Sequence, residues 1–346
     1  MKNRKKNILS LFKRKLKEKE AFFLQNGSTL LQDRFSSSIA ESSPIRSYSI
    51  QDLINATNNF DKHQLIYSGL WCRMYKGSYG NRPVLVKMIA ENSAISSQSQ
   101  ALLPIHDIAV TSQLSNHKNI LKLLGCCLEL QVPSLVYEYE GCELLRYLIS
   151  TESGHRLPWK SRLRIAKDIA YAVVYLHTAF SAPIIHANLS PKKVIVDQHG
   201  VAKLFDFSLS ISLHPEESHL QDVGVGCMVV SIDPEYQKTG IASTKFDVYS
   251  FGVILLVLLT GEQFIGGSAG NIFCITDQGK KYVEEDHLNQ IIDTRILGEG
   301  GGAQKQQNLQ DFWKLALRCV QGKCENRPEM IEVAKELKRI EMVFHS

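Results

Sequence analysis

The amino-acid sequence predicts an α+β protein of two lobes, a small β-rich lobe followed by a larger α-helical lobe. Short apolar runs of β-forming residues, bounded by turn residues, occur between about residues 65 and 139. After about residue 141, apolar residues recur at spacings of three and four, which is typical of helices with one buried face. The chain has 346 residues, of which 44% are hydrophobic, enough to build both lobes.

The N-terminal segment, residues 1–35, is predicted to form a basic amphipathic helix. Ile8, Leu11 and Leu16 recur at roughly helical spacing with lysines between them. Residues 1–20 carry nine Lys and Arg against two Glu, a net charge of +7, whereas the whole chain carries +5. Two alternatives stay open. Either the helix lies on an anionic membrane or a partner, or it packs on its own domain with its basic face in solvent.

The charge of the remaining chain argues against one class of function. Without the basic segment the body is slightly acidic, so general binding of nucleic acid is not expected. The longest apolar run, Phe251–Leu259, is far shorter than the roughly 20 residues that cross a bilayer. No C-x-x-C pair occurs among the eight cysteines. These features predict a cytoplasmic protein, peripheral to the plasma membrane if the basic helix lies on it.

The elements of the small lobe follow a segment, residues 36–59, that is predicted as a Ser-rich linker and lead-in. Val84–Val86 and Ser134–Tyr137 are predicted as strands, with one helix around Ile108 between them. In the large lobe, Ser161–Phe180 is predicted as a helix with a buried face and Phe251–Leu256 as part of a core helix. Two terminal helices are predicted over residues 309–320 and 328–342.

Six short motifs follow one another from about Phe60 to the end of the chain. They are Val84-Leu85-Val86-Lys87, His186-Ala187-Asn188, Asp206-Phe207-Ser208, Asp233-Pro234-Glu235, Asp247-Val248-Tyr249-Ser250-Phe251-Gly252 and Arg327-Pro328. In this order and at this spacing they resemble a protein kinase catalytic domain, with which residues 60–346 are identified. The resemblance implies the bilobal kinase fold.

A second set of motifs narrows the resemblance. These are Tyr48-Ser49-Ile50, Asn55-Ala56-Thr57-Asn58-Asn59-Phe60, His117-Lys118-Asn119-Ile120, Leu124-Gly125-Cys126-Cys127-Leu128-Glu129 and Asp233-Pro234-Glu235-Tyr236. They resemble plant receptor-like kinases of the wall-associated type. Without an ectodomain or a membrane span, the chain is similar to their receptor-like cytoplasmic branch.

The resemblance places a nucleotide-binding loop at Tyr67–Met74. Kinases of this kind have Gly-x-Gly-x-x-Gly-x-Val there, so that the backbone approaches phosphate without a Cβ in the way. Here only Gly69 remains of the three glycines, with Tyr67 and Cys72 at the other two positions and Met74 at that of the valine. Binding of ATP is expected to be weakened or lost.

Lys87 stands where kinases have the lysine that contacts phosphate, and its acidic partner falls at Asp107. Aspartate is one methylene shorter than the usual glutamate. Asp107 is therefore expected to reach Lys87 only if its helix lies further inward. Two alternatives stay open, a pair that orients nucleotide and an ion pair that braces the small lobe.

The catalytic loop departs most from the active pattern His-Arg-Asp-x-Lys-x-x-Asn. Asn188 occupies the position of the general base, and its amide cannot accept a proton as a carboxylate does. Ser190 replaces the lysine that contacts phosphate, and Lys193 puts a cation where the second metal ligand would be. Asp206 keeps the main metal ligand and, with Lys87, argues for binding of ATP and Mg²⁺. Tyr67 and Cys72 argue against it, so ATP and Mg²⁺ are doubtful ligands and no cofactor is required.

The activation segment has lost its substrate-facing threonine, because Met228, Val229, Val230, Ser231 and Ile232 stand where relatives have Thr-x-Gly-Tyr-Leu. Residues with architectural duties are kept. Glu235 is expected to form a buried ion pair with Arg327, and Asp247 to brace the catalytic loop. Residues needed for phosphoryl transfer are replaced, whereas residues that maintain the kinase fold are retained. This combination predicts a pseudokinase.

The basic helix, the segment Glu20–Ser28 and the degenerate loop together resemble one plant group, the non-functional resistance-associated pseudokinases. This resemblance implies an adaptor that binds the leucine-rich repeats of a coiled-coil nucleotide-binding leucine-rich-repeat (NLR) immune receptor through the small lobe. It also implies that the activation segment, Met228–Ile232, meets receptor-like cytoplasmic kinases. The alternative is a weak serine/threonine kinase that uses Lys87 and Asp206 with residual ATP binding.

Overall fold

The computed structural model describes most of the chain and divides it into two compact units. The described residues are 2–36, 45–69, 72–89, 97–114, 116–141, 143–149, 157–214, 219–221, 233–261, 291–299 and 302–345. The small unit comprises Met1–Asn116 and Leu121–Glu140, and the large unit comprises His117–Ile120 and Gly141–Ser346. A sheet-containing small unit and a mainly helical large unit confirm the predicted α+β class.

The small unit is built on one six-stranded sheet. Its strands are β1 (Arg46–Ser47), β2 (Leu65–Ser68), β3 (Cys72–Tyr79), β4 (Arg82–Ile89), β5 (Leu123–Cys127) and β6 (Ser134–Glu138). Their order across the sheet is β1-β5-β6-β4-β3-β2, and only β1 runs parallel to its neighbour. Its helices are α1 (Lys2–Ser36), α2 (Ile50–Ala56) and α3 (Ser97–Leu114). Both predicted strands lie in the centre of this sheet.

A strand and a helix form within residues 46–56, where a linker and lead-in were predicted, while residues 37–44 of that segment lie outside the described part of the chain. Strand β1 adds to the sheet beside β5, and a reciprocal capping box between Ser49 and Asp52 starts α2. Tyr48 and Leu53 are buried in a cluster with residues of β4 and β6. A Ser-rich composition indicated a linker, but these two apolar side chains fix the segment to the sheet.

Gly125 on β5 is the residue that lets β1 pair so closely. A Cβ at this position would lie 2.0 Å from the backbone oxygen of Arg46. Because a backbone atom cannot swing aside, we expect Gly125→Ala to separate β1 from β5 and to destabilise the protein by about 1–3 kcal/mol. Denaturant unfolding would measure the loss.

Gly27 on α1 supplies the matched control for this substitution, because a Cβ there would meet no atom within 4 Å. Gly27→Ala replaces a helical glycine and is expected to be neutral or to stabilise by up to about 1 kcal/mol. Equal stability of Gly125→Ala and the wild type would contradict the assignment of β1 as a paired strand.

The large unit is mainly helical. Its helices are α4 (Leu145–Ile149), α5 (Trp159–Thr178), α6 (Pro234–Thr239), α7 (Thr244–Thr260), α8 (Thr294–Leu297), α9 (Gly302–Cys319) and α10 (Met330–His345). Its strands are β7 (Glu143–Leu144), β8 (Ile184–Ile185), β9 (Val194–Val196), β10 (Ala202–Leu204), β11 (Ile211–Ser212), β12 (Leu220–Gln221) and β13 (Ile241–Ala242). The four helices predicted in this part of the chain correspond to α5, α7, α9 and α10.

Helix α7 forms the centre of the large unit, since every residue from Phe246 to Thr260 is buried. It packs against α5 and α9, and α10 packs on α5. Buried Arg162 of α5 donates to the Leu258 carbonyl at 2.8 Å and to Asp293 at 2.6 Å, which ties α5 to α7 and to the start of α8. In the part of the chain that the structure describes, no helix combines the length and the apolar character that a bilayer crossing requires.

Candidate functional site

In the small unit, one face of the sheet carries Tyr67, Met74 and Lys87, three residues predicted to bind nucleotide. Tyr67 on β2 lies opposite Met74 on β3, and Met74 lies opposite Lys87 on β4, so the three side chains share a face. All three are buried. The Tyr67 ring lies over Gly69, where a Cβ would come within 2.4 Å of the phenol oxygen. The side chain of Tyr67 therefore lies over the glycine that the sequence retained.

Lys87 and Asp107 form a buried ion pair within the small unit, with Nζ 2.8 Å from Oδ2. The shorter aspartate does reach the lysine. The Thr111 hydroxyl donates to Oδ1 at 3.0 Å, and the Tyr137 hydroxyl donates to Oδ2 at 3.3 Å. Both carboxylate oxygens thus accept hydrogen bonds from the protein. Such a network suits a brace at least as well as a nucleotide contact.

The catalytic loop of the large unit is held by Asp247. Its Oδ2 accepts the His186 N–H at 2.8 Å and lies 3.0 Å from His177 Nε2, while its Oδ1 accepts the Ala187 N–H at 3.0 Å. Ala187 has a φ of +58°, the left-handed region that non-glycine residues rarely adopt. A fully buried carboxylate thus fixes the loop in a strained backbone conformation.

His186 is an architectural residue in this loop. It is fully buried, and its Nδ1 lies 3.3 Å from the Asn188 N–H, which donates to it. Burial lowers the pKa of the His186 imidazole, although the carboxylates of Asp247 and Asp206 oppose the shift. A neutral ring whose Nδ1 accepts a backbone hydrogen bond fits the observed geometry.

Lys193 and Asp206 meet in the large unit, where the lysine ammonium contacts Oδ2 of the aspartate. The Ser208 hydroxyl donates to the other oxygen, Oδ1, at 2.7 Å. The hairpin of β9 and β10 brings the two segments together, because its register pairs Val194 with Leu204. Lys193 directly precedes Val194, and Asp206 follows Leu204 by two residues, so both lie at the same end of the hairpin.

A divalent metal does not fit the residues around Asp206. The lysine ammonium and the Ser208 hydroxyl already engage both oxygens of the carboxylate. Mg²⁺ requires several oxygen ligands in a near-octahedral arrangement. Among the described residues, no cluster of three or more His, Cys, Asp and Glu side chains forms a metal site. The residues around Asp206 therefore do not support phosphoryl transfer through a metal bound there.

The predicted ion pair of Glu235 with Arg327 is wrong, because Arg327 binds Asp233. Its two terminal nitrogens contact the two oxygens of Asp233, with Nη2 2.6 Å from Oδ1. Asp233 also caps α6 by accepting the Glu235 N–H at 2.9 Å. The Glu235 carboxylate instead accepts the backbone N–H of Cys324. The two acids stand two residues apart, and the one that starts the helix faces the arginine.

Three residues that contact the predicted site residues were not predicted from the sequence, and only Thr111 could have been recognised from its spacing. Thr111 follows Asp107 by four residues, the spacing at which helical side chains meet. Tyr137 and His177 lie far from their carboxylate partners along the chain, so no local pattern indicates them. The predicted partner-binding segment Met228–Ile232 lies outside the described residues, as do positions 70 and 71 of the predicted nucleotide-binding loop.

The comparisons with known proteins agree with this architecture. A family model described as protein tyrosine and serine/threonine kinase matches residues 61–337. From Arabidopsis thaliana, the serine/threonine-protein kinase ZRK1 is 38% identical, over 95% of this chain and 95% of its own length. The non-functional pseudokinase ZED1 is also 38% identical, over 94% of this chain and 98% of its own. Wall-associated receptor kinase 4 is 31% identical, over 93% of this chain and 43% of its own.

Proposed function

The chain belongs to the protein tyrosine and serine/threonine kinase family, and we propose that it works there as a catalytically impaired pseudokinase. In this proposal it is an adaptor or decoy in plant defence. It binds a coiled-coil NLR immune receptor and presents receptor-like cytoplasmic kinases. Similar proteins carry both names, since ZED1 is named a non-functional pseudokinase and ZRK1 a serine/threonine-protein kinase.

The ion pair between Lys193 and Asp206 is the observation that carries the loss of catalysis. Phosphoryl transfer depends on metal ions that neutralise developing charge on the phosphates. In this chain a lysine ammonium lies against the aspartate that would bind the metal. Asn188 adds a second defect, because the loss of a general base alone costs about 10²–10⁴ in rate.

The architecture around these defects is intact, which supports a role in binding. Arg327 forms a bidentate ion pair with Asp233 and donates to the Gln321 carbonyl at 2.7 Å. Asp247 holds the loop that no longer contains a base. A kinase domain that retains its fold but lacks catalytic residues can still present a stable surface for binding partners.

Helix α1 supplies a candidate surface for the NLR receptor. Leu16, Leu24 and Leu31 are 59%, 71% and 56% exposed, and the helical spacing puts them on one face with Phe23. Exposed apolar side chains grouped on one face are typical of docking sites. We place the leucine-rich repeats of the receptor on this face of the small unit. Peripheral contact of the basic end of α1 with an anionic membrane is a separate proposal, to which each Lys or Arg contributes about 1 kcal/mol.

Charge introduced on the exposed face of α1 is expected to abolish receptor binding. We expect wild-type bait to recover a coiled-coil NLR receptor from plant extract, and the double variant Leu24→Glu, Leu31→Glu to recover less than about a tenth as much. Both side chains are exposed, so the substitutions leave the fold intact. Mass spectrometry of the captured proteins provides the measurement.

The control for this experiment is Met342→Glu on α10, since Met342 is 63% exposed in the large unit. It should recover the receptor as the wild type does. Recovery of the same receptor by the α1 variant and the wild type would place the docking site elsewhere. Failure of the wild type to capture any NLR receptor would contradict the adaptor function.

A weak kinase is the second candidate, and the formed pair of Lys87 with Asp107 favours it. This pair is a retained part of the machinery that orients nucleotide phosphates. The buried hydrogen bonds that Thr111 and Tyr137 donate to Asp107 are also consistent with a structural role of the pair. The pair therefore does not require bound nucleotide.

A further inference from the structure

Helix α3, which carries Asp107, is enclosed in the protein. The eight consecutive residues from Asp107 to Leu114 are all buried, whereas a surface helix leaves its outer face in water. Within the small unit α3 packs on β5 and β6, and α1 packs on it as well. An N-terminal extension of the kinase domain thus contributes to the enclosure of this helix.

Buried polar contacts hold α1 in place. Asn26 is 4% exposed, and its amide nitrogen donates to the carbonyls of Leu128 and Leu130 at 3.0 and 2.9 Å. These two carbonyls belong to the turn between β5 and β6. One side chain thus satisfies two backbone acceptors, and its loss would leave them without a donor inside the protein.

A second contact joins α1 directly to α3. Asp33 of α1 lies 3.1 Å from Nδ1 of His106, with the two side chains about one third exposed. His106 immediately precedes Asp107, so the two residues belong to the same turn of α3. A shift of α1 would therefore move the turn of α3 that carries the Asp107 carboxylate.

The length of the aspartate makes this position matter. A glutamate at position 107 would reach Lys87 with one more methylene. Asp107 makes its 2.8 Å contact without that methylene. The backbone of α3 must therefore lie nearer to β4 than a glutamate would require. We propose that α1 is an intramolecular clamp that holds α3 against the sheet, so that the short side chain of Asp107 reaches Lys87. Asn26 and Asp33 are then positioning residues for this pair. The clamp goes beyond the adaptor function and stands on contacts within the small unit alone.

Chemical labelling of lysine tests the clamp in the full-length protein. The double variant Asn26→Ala, Asp33→Ala should raise the rate at which an amine-reactive reagent modifies Lys87 by about tenfold, as expected for lost buried hydrogen bonds. Peptide mass spectrometry follows each lysine separately. Lys305, a buried lysine of the large unit, should keep its labelling rate. Gln25→Ala, which changes an exposed residue of α1 next to Asn26, should leave both rates unchanged.

A rescue variant separates the clamp from general loss of stability. With the α1 contacts removed, Asp107→Glu supplies the missing methylene and should return Lys87 labelling to within about twofold of the wild type. Unchanged labelling of Lys87 in the double variant would overturn the proposal. So would an equal rise at Lys305, or failure of Asp107→Glu to restore protection.

Discussion

Replacing Asp247 by alanine is expected to destabilise the large unit by about 3–6 kcal/mol. The carboxylate accepts the backbone N–H groups of His186 and Ala187 and contacts His177. Each buried donor left without an acceptor costs about 1–3 kcal/mol. Without Asp247, nothing among these contacts holds Ala187 at its φ of +58°. Denaturant unfolding followed by tryptophan fluorescence would measure the loss.

Two variants calibrate this effect. Asp247→Asn keeps one carbonyl oxygen as an acceptor and should lose less stability than alanine. Asp311→Ala removes an aspartate of the same unit that pairs with half-exposed Arg339, and surface pairs contribute about 0.2–1 kcal/mol. If Asp247→Ala unfolds at the same denaturant concentration as Asp311→Ala, the carboxylate is not the brace of the loop.

The sequence was informative where a residue type alone decides the chemistry. Asn188 has no proton-accepting carboxylate whatever surrounds it, so the defect was predictable from one position. The apolar spacing of α5 likewise predicts a helix because the period of the pattern depends only on the local backbone. For these features no distant part of the chain is needed.

Distances across the fold were not predictable in the same way. Whether Asp107 reaches Lys87 depends on where α3 lies, and α1, far away in sequence, packs on α3. The choice between Asp233 and Glu235 as the partner of Arg327 depends on the start of α6. Both acids have the right charge, and only the direction in which the helix begins distinguishes them.

Substituting Lys193 by asparagine is expected to make the stability of the chain depend on divalent metal ions. The change releases one oxygen of Asp206 from the ammonium and adds an amide oxygen, the type of ligand that Mg²⁺ and Mn²⁺ prefer. Metal at about 100 times its dissociation constant would stabilise the variant by about 2.7 kcal/mol. For a unit of this size that is a rise of about 5–10 °C in melting temperature. A thermal melt with and without MnCl₂ measures it.

Lys203→Asn is the matched control, because Lys203 pairs with Asp197 at 3.3 Å in the same hairpin. It removes the same charge but leaves Lys193 on Asp206, so added metal should not shift its melting temperature. A metal-dependent shift in the wild type, as large as that of Lys193→Asn, would contradict the view that lysine excludes the metal.

The pair of Lys193 and Asp206 also determines whether substitutions at the catalytic loop can restore phosphoryl transfer. Asn188→Asp alone should give no radiolabel transfer above that of Lys87→Met, since a general base without a metal site lacks the charge stabilisation that phosphoryl transfer needs. Any gain should require Lys193→Asn in addition, and the two effects should not simply add. Transfer by the wild type that disappears in Lys87→Met would reverse the conclusion. It would show that the chain moves phosphate despite the lysine on Asp206, and the weak-kinase function would then replace the adaptor without catalysis.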